Sequence, residues 1–353
     1  MTTVLSTIFV LGVLIFVHEL GHFLVAKWAG IRVERFSLGF PPKMIGFTRG
    51  ETEYCISWVP LGGYVKMAGE NPDDETTGEP YEFMSKSVGA RAAVILAGPV
   101  MNFVTAIVLL IAVLWIHGKD VPAVDQVVVG PVVEGGPAEG VGIKSGDIIV
   151  AVDNNKYSTF AEMADYIRAR PGDSVEVLWR RGEEVYSARV KTNSQTLKTE
   201  AGTDTTVGMI GVGMGFITED VGFIDAVSGG VKQTFGICGE MLKFIGGLFS
   251  GQVSIKMVSG PVGIARIAGQ VAQEGWYVLL NFMAVLSLNL AILNILPIPI
   301  LDGGHLVFLL AEKLRGRPLS IRQRAIAQQV GLALLLLLIV TVTYNDVLRF
   351  ITG

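Results

Sequence analysis

Long apolar runs are the dominant pattern of this 353-residue chain. Four of them come close to the twenty or so residues that a helix needs to cross a hydrocarbon layer: Thr3–Ala26, Ala92–Ile116, Val278–Leu301 and Val330–Phe350. No lysine or arginine precedes the first run and no small-residue cleavage site follows it, so we interpret it as a retained helix. The pattern predicts a multi-pass α-helical membrane protein with four transmembrane helices.

The basic residues between these runs predict an orientation. Lysine and arginine are concentrated in the connections 27–91 and 303–329, whereas the N-terminus has none and the C-terminal end has only Arg349. By the positive-inside rule both connections are cytoplasmic and both termini are extracytoplasmic. The long stretch 117–277 then lies outside the cell membrane as well.

The first cytoplasmic connection has the pattern of short strands separated by turns, above all in 39–42 and 53–67. Its aromatic and apolar content suggests a membrane-associated β-hairpin region that dips towards the first helix. An exposed sheet edge there could pair with an extended peptide. A hairpin with a purely structural role is an equal alternative.

The stretch 121–192 has the pattern of an α+β module. Strands are predicted at Val127–Val129, Ile148–Val152, Ser174–Trp179 and Val185–Val190, with an amphipathic helix at Phe160–Arg170. Residues 197–214 are expected to end the module as strand and linker. In 223–249, apolar residues recur at three- and four-residue steps, which predicts an amphipathic helix lying on the outer membrane surface.

Composition narrows the class of protein. Half of the residues are hydrophobic and only 17% are charged, which is too apolar for an ordinary soluble protein. The net charge of −4 comes without a basic tail, so nucleic acid is not an expected partner. The two cysteines, Cys55 and Cys238, are too few for a disulfide framework or a thiolate zinc site.

One polar motif lies inside the first apolar run. His18 and His22 are four residues apart and Glu19 lies between them. On a helix the two imidazoles share one face, where they can bind a single Zn²⁺ while the glutamate acts on a water molecule. Packed histidines without a metal are the main alternative, but polar groups at membrane depth are expensive and usually functional.

A third ligand is expected at Asp302, which follows the third apolar run and two prolines. The first and third spans both run inward, so Asp302 reaches the same side of the membrane as His18 and His22. Two histidines, one aspartate and an open position form a catalytic zinc arrangement. A helix cap or an ion pair with Lys313 or Arg315 would be the structural role of Asp302. His305 is not needed as a ligand, and we expect it to be a neighbouring or packing residue.

Five motifs together resemble the bacterial site-2 proteases, a family of intramembrane zinc metalloproteases, and most closely their regulator of sigma-E protease (RseP-like) branch. They are His18–His22, Pro60–Met67, Ala97–Phe103, Ser259–Ile264 and Asn294–Gly304. Within 121–192 the spacing of Gly136-Pro137-Ala138, Gly142–Ile149 and Arg170-Pro171-Gly172 also resembles a bacterial PDZ domain. The best-known members of the branch carry two tandem PDZ domains, whereas this chain has room for one.

The resemblance implies functional residues for this chain. His18, His22 and Asp302 would hold one Zn²⁺ per chain and Glu19 would be the base. Asn289 and Asn294 would lie near the substrate backbone. The strand edge formed by Gly63, Tyr64, Val65, Lys66 and Met67 would bind the substrate.

The resemblance also implies an organisation and partners. A catalytic membrane half at 1–117 precedes an extracytoplasmic PDZ domain with linker at 118–220, a membrane-surface helix region at 221–272 and a second catalytic membrane half at 273–353. The protein would lie in the bacterial cytoplasmic (inner) membrane, with its active site near the cytoplasmic side. Substrates would be transmembrane proteins such as trimmed anti-sigma factors or signal-peptide remnants, with a peptide as the PDZ ligand.

Two other classes of protein fit parts of the pattern. A non-proteolytic membrane scaffold would use the PDZ-like module for binding and need no zinc. That module could also be a structural plug or spacer. A membrane-anchored zinc protease acting on soluble proteins would place its site outside the bilayer, but His18 lies about 21 Å along the helix from Val4, still within the apolar run.

Overall fold

The computed structural model describes residues 2–70, 77–123, 125–198 and 204–352. Its helices are α1 (Thr2–Trp28), α2 (Val88–Ile116), α3 (Pro137–Gly140), α4 (Phe160–Arg168), α5 (Phe223–Phe249), α6 (Pro261–Glu274), α7 (Trp276–Ile295), α8 (Asp302–Arg315) and α9 (Ile321–Thr352). Its strands are β1 (Val33–Arg49), β2 (Thr52–Met67), β3 (Lys119–Pro122), β4 (Val127–Val132), β5 (Ile148–Val152), β6 (Ser174–Arg181), β7 (Glu184–Lys191), β8 (Asn193–Lys198), β9 (Asp204–Met209), β10 (Val212–Met214) and β11 (Phe216–Glu219). Short 3₁₀ turns lie at Phe83–Ser85 and Ile255–Met257.

The chain forms two compact units. One comprises Met1–Ile116 together with Gly222–Gly353, and the other comprises His117–Val221. These limits lie within one or two residues of the divisions predicted near 117 and 220. The two stretches predicted as separate parts, 221–272 and 273–353, belong to the first unit together.

Within the described residues, the first unit contains four helices that are long and apolar enough to cross a membrane: Thr3–Trp28, Val88–Ile116, Trp276–Ile295 and Ile321–Arg349. This confirms the four predicted spans, with two corrected boundaries. The third span ends at Ile295 and not at Leu301, because Pro297 and Pro299 cannot continue a helix. The fourth begins at Ile321, earlier than predicted, since its first turns are polar and carry no apolar signal.

Helix α2 is the centre of the helical unit and packs against α1 and α7. Small residues permit this close packing: Ala106 on α2 and Ala284 on α7 are fully buried in one apolar cluster. Near its N-terminal end α2 carries Arg91, which forms a buried ion pair with Glu312 on α8 through two hydrogen bonds of 2.5 and 3.1 Å. The segment that begins with Asp302 is therefore fixed to α2 by a charge pair.

Strands β1 and β2 both bend and form the predicted hairpin region. Residues 35–38 pair on one side with 63–66 and on the other side with 53–56, while 43–49 pair with 52–57. The resulting sheet has the order 63–67, 33–38, 53–57, 43–49. Among the described residues, segment 63–67 is paired on one side only and therefore forms a sheet edge.

Helix α5 packs along α2. Phe223 near its start contacts Trp115 at the end of α2, and Phe235 contacts Phe103, twelve residues back along α2. The two helices therefore run antiparallel alongside each other, and the position of α5 on the outer membrane surface stays a prediction. The physical reason for this packing is a face of small residues, since a Cβ at Gly230 would lie within 2.6 Å of Ile111.

The second unit confirms the predicted α+β elements. A five-stranded sheet of order β10-β4-β5-β6-β7 packs with α4 around a core that includes Val127, Met163 and Trp179. The sheet is antiparallel throughout. Of the predicted strand and linker at 197–214, residues 199–203 lie outside the described residues, and the described ones belong to the end of β8, to β9, which pairs with β8, and to edge strand β10.

Candidate metal centre

Three predicted ligands converge in the first unit. His18 and His22 on α1 and Asp302 at the start of α8 present ligand atoms that all lie within 4.8 Å of one another. The two Nε2 atoms are 3.2 Å apart, and the carboxylate oxygens of Asp302 lie 3.2 Å from His18 Nε2 and 3.6 Å from His22 Nε2. Asp302 reaches this place because α7 stops at Ile295 and the chain turns back before α8.

The donor set fits a zinc ion. Two imidazole nitrogens and one carboxylate oxygen are ordinary zinc ligands, and three of them leave a fourth position free for water or substrate. Oδ2 of Asp302 is buried and makes no hydrogen bond with a described residue. A buried carboxylate oxygen without a donor is the atom that a bound cation would satisfy.

One face of α2 supports both histidines. Val94, Gly98 and Asn102 follow one another at four-residue steps and so lie along one stripe of the helix. Nδ1 of His22 donates to the backbone oxygen of Val94 at 2.8 Å, which leaves Nε2 with its lone pair. A Cβ at Gly98 would lie 2.4 Å from His22 Nε2, so the imidazoles occupy the space above this glycine.

Two asparagines contact His18. Nδ2 of Asn102 lies 3.2 Å from His18 Nδ1, and Nδ2 of Asn294 on α7 lies 3.4 Å from His18 Nε2. Asn294 was predicted from the sequence to lie at the site. Asn102 lies within the motif Ala97–Phe103, but the sequence does not by itself predict a role for it at the site. Its four-residue spacing from Gly98 is the signal that could identify it.

A cavity of about 330 Å³ opens beside the ligands. Glu19 lines it together with His18, His22 and Asp302. Four residues of the predicted strand edge line it too: Gly63, Tyr64, Val65 and Met67. A Cβ at Gly63 would lie 2.9 Å from Cγ of Glu19, so the sheet edge runs directly past the glutamate.

Other charged residues face the same cavity. Glu70, His305 and Arg324 line it, and no functional role is predicted from the sequence for Glu70 or Arg324. Nε of Arg324 is buried and makes no hydrogen bond with a described residue, while its guanidinium lies 3.9 Å from Glu312. His305 packs edge-on against Phe308, and burial lowers the pKa of this histidine. Among the described residues, the three whose ligand atoms converge are His18, His22 and Asp302, and His305 lines the cavity beside them.

Two predicted substrate-binding residues lie apart from the cavity. Lys66 forms an ion pair with Glu34 at 2.8 Å and is absent from the described lining of the cavity. Asn289 is half-buried on α7. It lies five residues before Asn294, which places the two side chains about 140° apart around the helix. The roles of both residues stay predictions.

The second unit has a smaller cavity of about 200 Å³. Phe160, Met163 and Ile167 of α4 form one wall, and residues 207–212 form the other. Gly211 in that wall has a φ of +80°, a conformation that favours glycine. Edge strand β10 begins directly after it. The site is a largely apolar groove between a helix and a sheet edge.

Comparison with known proteins identifies the family. The profile of Peptidase family M50 matches residues 6–338, almost the whole chain. The chain belongs to this family, and its relatives are zinc metalloproteases of the site-2 protease type. The chain is therefore a membrane protein and a zinc metalloprotease.

Three relatives define the similarity. A zinc metalloprotease RasP of Geobacillus kaustophilus is 32% identical over 99% of this chain and 98% of its own length. The regulator of sigma-W protease RasP of Bacillus subtilis is 30% identical over 98% of both chains. A putative zinc metalloprotease of Agrobacterium fabrum is 37% identical over 96% of this chain and 94% of its own length.

Among solved structures, the PDZ domain of an SdrC-like protein from Listeria monocytogenes is 28% identical to this chain. The match covers 26% of this chain and 87% of the solved domain, with a TM-score of 0.21.

Proposed function

We propose that this chain is an intramembrane protease that hydrolyses peptide bonds within transmembrane segments of single-span substrates. The observation that carries the proposal is the convergence of His18, His22 and Asp302 within 4.8 Å beside Glu19. Both histidines and the glutamate lie on a helix that is apolar enough to cross a membrane. A protease whose catalytic residues lie within a membrane span acts most directly on peptides within the membrane.

His18, His22 and Asp302 would hold one zinc ion per chain. When bound there with an open position, zinc would supply Lewis-acid chemistry, which polarises a peptide carbonyl and lowers the pKa of water towards neutrality. Glu19 accepts the proton of the attacking water and passes it to the leaving amine nitrogen. Asn294 would donate a hydrogen bond to the substrate backbone, a role that its distance of 3.4 Å from His18 supports.

The sheet edge 63–67 would bind the substrate as an extended strand. The amides of a transmembrane helix are hydrogen-bonded within the helix, so the scissile segment has to unwind first. The edge offers replacement backbone partners along the cavity that Gly63, Tyr64, Val65 and Met67 line. Lys66 would support the edge through Glu34. Asn289 would act further along the substrate.

The basic connections support an orientation with both termini and the second unit outside the cytoplasm and the active site near the cytoplasmic side. The membrane would be the bacterial cytoplasmic (inner) membrane. The name of the Bacillus subtilis relative, a regulator of sigma-W protease, supports trimmed anti-sigma factors as substrates. Signal-peptide remnants have the same single-span form.

The second unit would act as a PDZ domain that binds a peptide. The groove between α4 and residues 207–212 is apolar, and edge strand β10 borders it, which suits strand addition by a peptide with an apolar side chain. The ligand is then a segment of the substrate or of a partner protein.

The test compares membrane proteomes of cells that carry the wild-type enzyme or the Glu19→Gln variant. The variant retains the shape of the side chain and one of its two acceptor oxygens but cannot accept a proton. Single-span fragments should accumulate with Glu19→Gln while its zinc content stays at the wild-type level. Equal fragment levels in the two strains would contradict the proposed function.

A further inference from the structure

Asn102 is a buried polar residue that the proposed mechanism does not use. Its side chain is fully buried in the middle of α2, and its amide oxygen Oδ1 makes no hydrogen bond with a described residue. Leaving a buried acceptor unpaired is unfavourable, because the atom loses its hydrogen bonds to water and gains none in return. An asparagine held at this position therefore calls for a donor to its Oδ1 atom.

The tautomer of His18 supplies the reason. The Nε2 atom of His18 faces His22 and Asp302, so Nε2 is the atom that would bind the metal. A neutral imidazole that binds a metal through Nε2 carries its proton on Nδ1, and this N–H needs an acceptor. The group within hydrogen-bond distance of His18 Nδ1 is the side-chain amide of Asn102, at 3.2 Å.

The amide of Asn102 faces His18 with its nitrogen, Nδ2. A half-turn about the Cβ–Cγ bond exchanges Nδ2 and Oδ1 with almost no change of shape. After that rotation the unpaired oxygen accepts from the Nδ1–H of His18. The histidine obtains its acceptor and the amide oxygen obtains its donor.

The arrangement parallels that of the second histidine. His22 donates its Nδ1–H to the backbone oxygen of Val94, two helical turns away from Asn102 on the same stripe of α2. Each imidazole would then have one acceptor on α2. At Asn102, α2 is also bound to α7, because the hydroxyl of Ser287 donates to the backbone oxygen of Asn102 at 2.8 Å.

We propose that Asn102 is a positioning residue for the metal site, whose side-chain oxygen accepts from Nδ1–H of His18 and keeps Nε2 available to the metal. The inference rests on the proposed zinc site. Partners of this kind fix the tautomer and ring orientation of a metal-binding histidine, and their removal lowers metal affinity by about 10–100-fold.

The test measures zinc affinity by chelator competition in purified full-length protein. Asn102→Leu keeps the approximate size of the side chain but has no acceptor, and we expect a loss of affinity of about 10–100-fold. Asn102→Asp offers only acceptors and should bind zinc close to the wild-type level. Ser287→Ala, which removes the bond to the backbone of Asn102 but leaves its amide, is the matched control and should also bind normally.

Two measurements keep the outcomes distinct. Thermal unfolding of the metal-free proteins shows whether each variant folds, and the absorption spectrum of the Co²⁺-loaded proteins reports on the geometry of the ligands. Wild-type affinity in Asn102→Leu, or a loss in Asn102→Asp equal to that in a folded Asn102→Leu, would overturn the proposal. If Asn102→Leu does not fold, the zinc affinity of Asn102→Asp decides alone. Failure of the wild-type protein to bind zinc would instead contradict the metal site itself.

Discussion

Gly98 on α2 lies directly against His22 on α1, so closely that a Cβ at this glycine would be 2.4 Å from Nε2 of the histidine and 2.7 Å from Cε1 of His18. The backbone of the second span is thus one wall of the candidate metal site. Only the absence of a side chain lets both imidazoles turn towards Asp302. Gly98 has ordinary helical backbone angles, so the reason for a glycine at this position is the space that the two imidazoles occupy.

Gly98→Ala should therefore displace the histidines and lower zinc binding. The new methyl group meets two imidazole rings that are fixed at Nδ1, so neither can move freely. We expect at least about a tenfold loss of zinc affinity, as for other disturbances of ligand orientation. Gly89→Ala on the same helix is the control, since a Cβ there meets nothing within 4 Å. Equal zinc affinity in the two variants would contradict this account of Gly98.

Gly63→Ala should separate zinc binding from catalysis. A methyl group at Gly63 would come within 2.9 Å of Cγ of Glu19 and of the backbone oxygen of Ser37, so it pushes the glutamate away and disturbs the sheet edge. We expect zinc content to stay normal while cleavage of a single-span substrate falls by about 100-fold, as when a general base is misplaced. Gly12→Ala on α1, where a Cβ meets nothing within 4 Å, should cleave normally. Full cleavage by Gly63→Ala would show that the edge and Glu19 are not coupled.

The buried ion pair between Arg91 and Glu312 should be important for stability. Arg91 is only 4% exposed and Glu312 is 12% exposed, so replacing the glutamate leaves a buried positive charge without its main partner. Glu312→Ala should lower the free energy of unfolding by about 3–5 kcal/mol. Thermal unfolding in detergent measures this as a lower midpoint. Glu240→Ala, which breaks the exposed pair with Lys243, should leave the midpoint unchanged.

Acid should weaken the second unit through Asp147. Burial alone would raise the pKa of this carboxyl, but hydrogen bonds from Arg181 and from the backbone N–H of Lys144 outweigh burial and lower it. A group whose pKa is lower in the folded state stabilises the fold above the pKa of the unfolded chain, near 4, and loses this contribution as the pH falls through the folded value.

Hydrogen exchange of strand β5 in the full-length protein measures this effect. Exchange should become faster in the wild-type protein as the pH is lowered below about 4, after correction for the intrinsic rate. Asp147→Asn should exchange faster already at neutral pH and should lose most of the acid dependence. An acid dependence in Asp147→Asn equal to that of the wild type would assign the effect to another group.

The sequence was sufficient to predict which residues of the metal site meet. The four-residue spacing of His18 and His22 fixes a common helix face, and counting spans places Asp302 on the same side of the membrane. The first argument depends on the helix period and the second on the number of membrane crossings. Neither quantity changes when the predicted ends of a helix are wrong by a few residues. The third span does end six residues before its predicted end, and Asp302 still reaches the site because it follows the prolines.

Contacts across helices were beyond such reasoning. The orientation of α5 depends on its glycine face against Ile111, and an apolar period predicts a buried face without naming the surface that covers it. Spacing along α2 places Asn102 on the stripe of Gly98 but does not name His18 as its partner, and nothing in the sequence around Arg324 indicates that it lines the cavity. The double pairing of residues 35–38 likewise depends on a bend in β1 and β2 that alternation along the chain does not encode.

Zinc content per chain tests the central claim most directly. Purified wild-type protein should hold one zinc ion per chain, and Asp302→Ala should lose it although it retains both histidines. Glu19→Gln, prepared in the same way, should keep one zinc per chain. Wild-type protein without zinc, or a full complement of zinc in Asp302→Ala, would contradict the assignment of His18, His22 and Asp302 as the metal ligands.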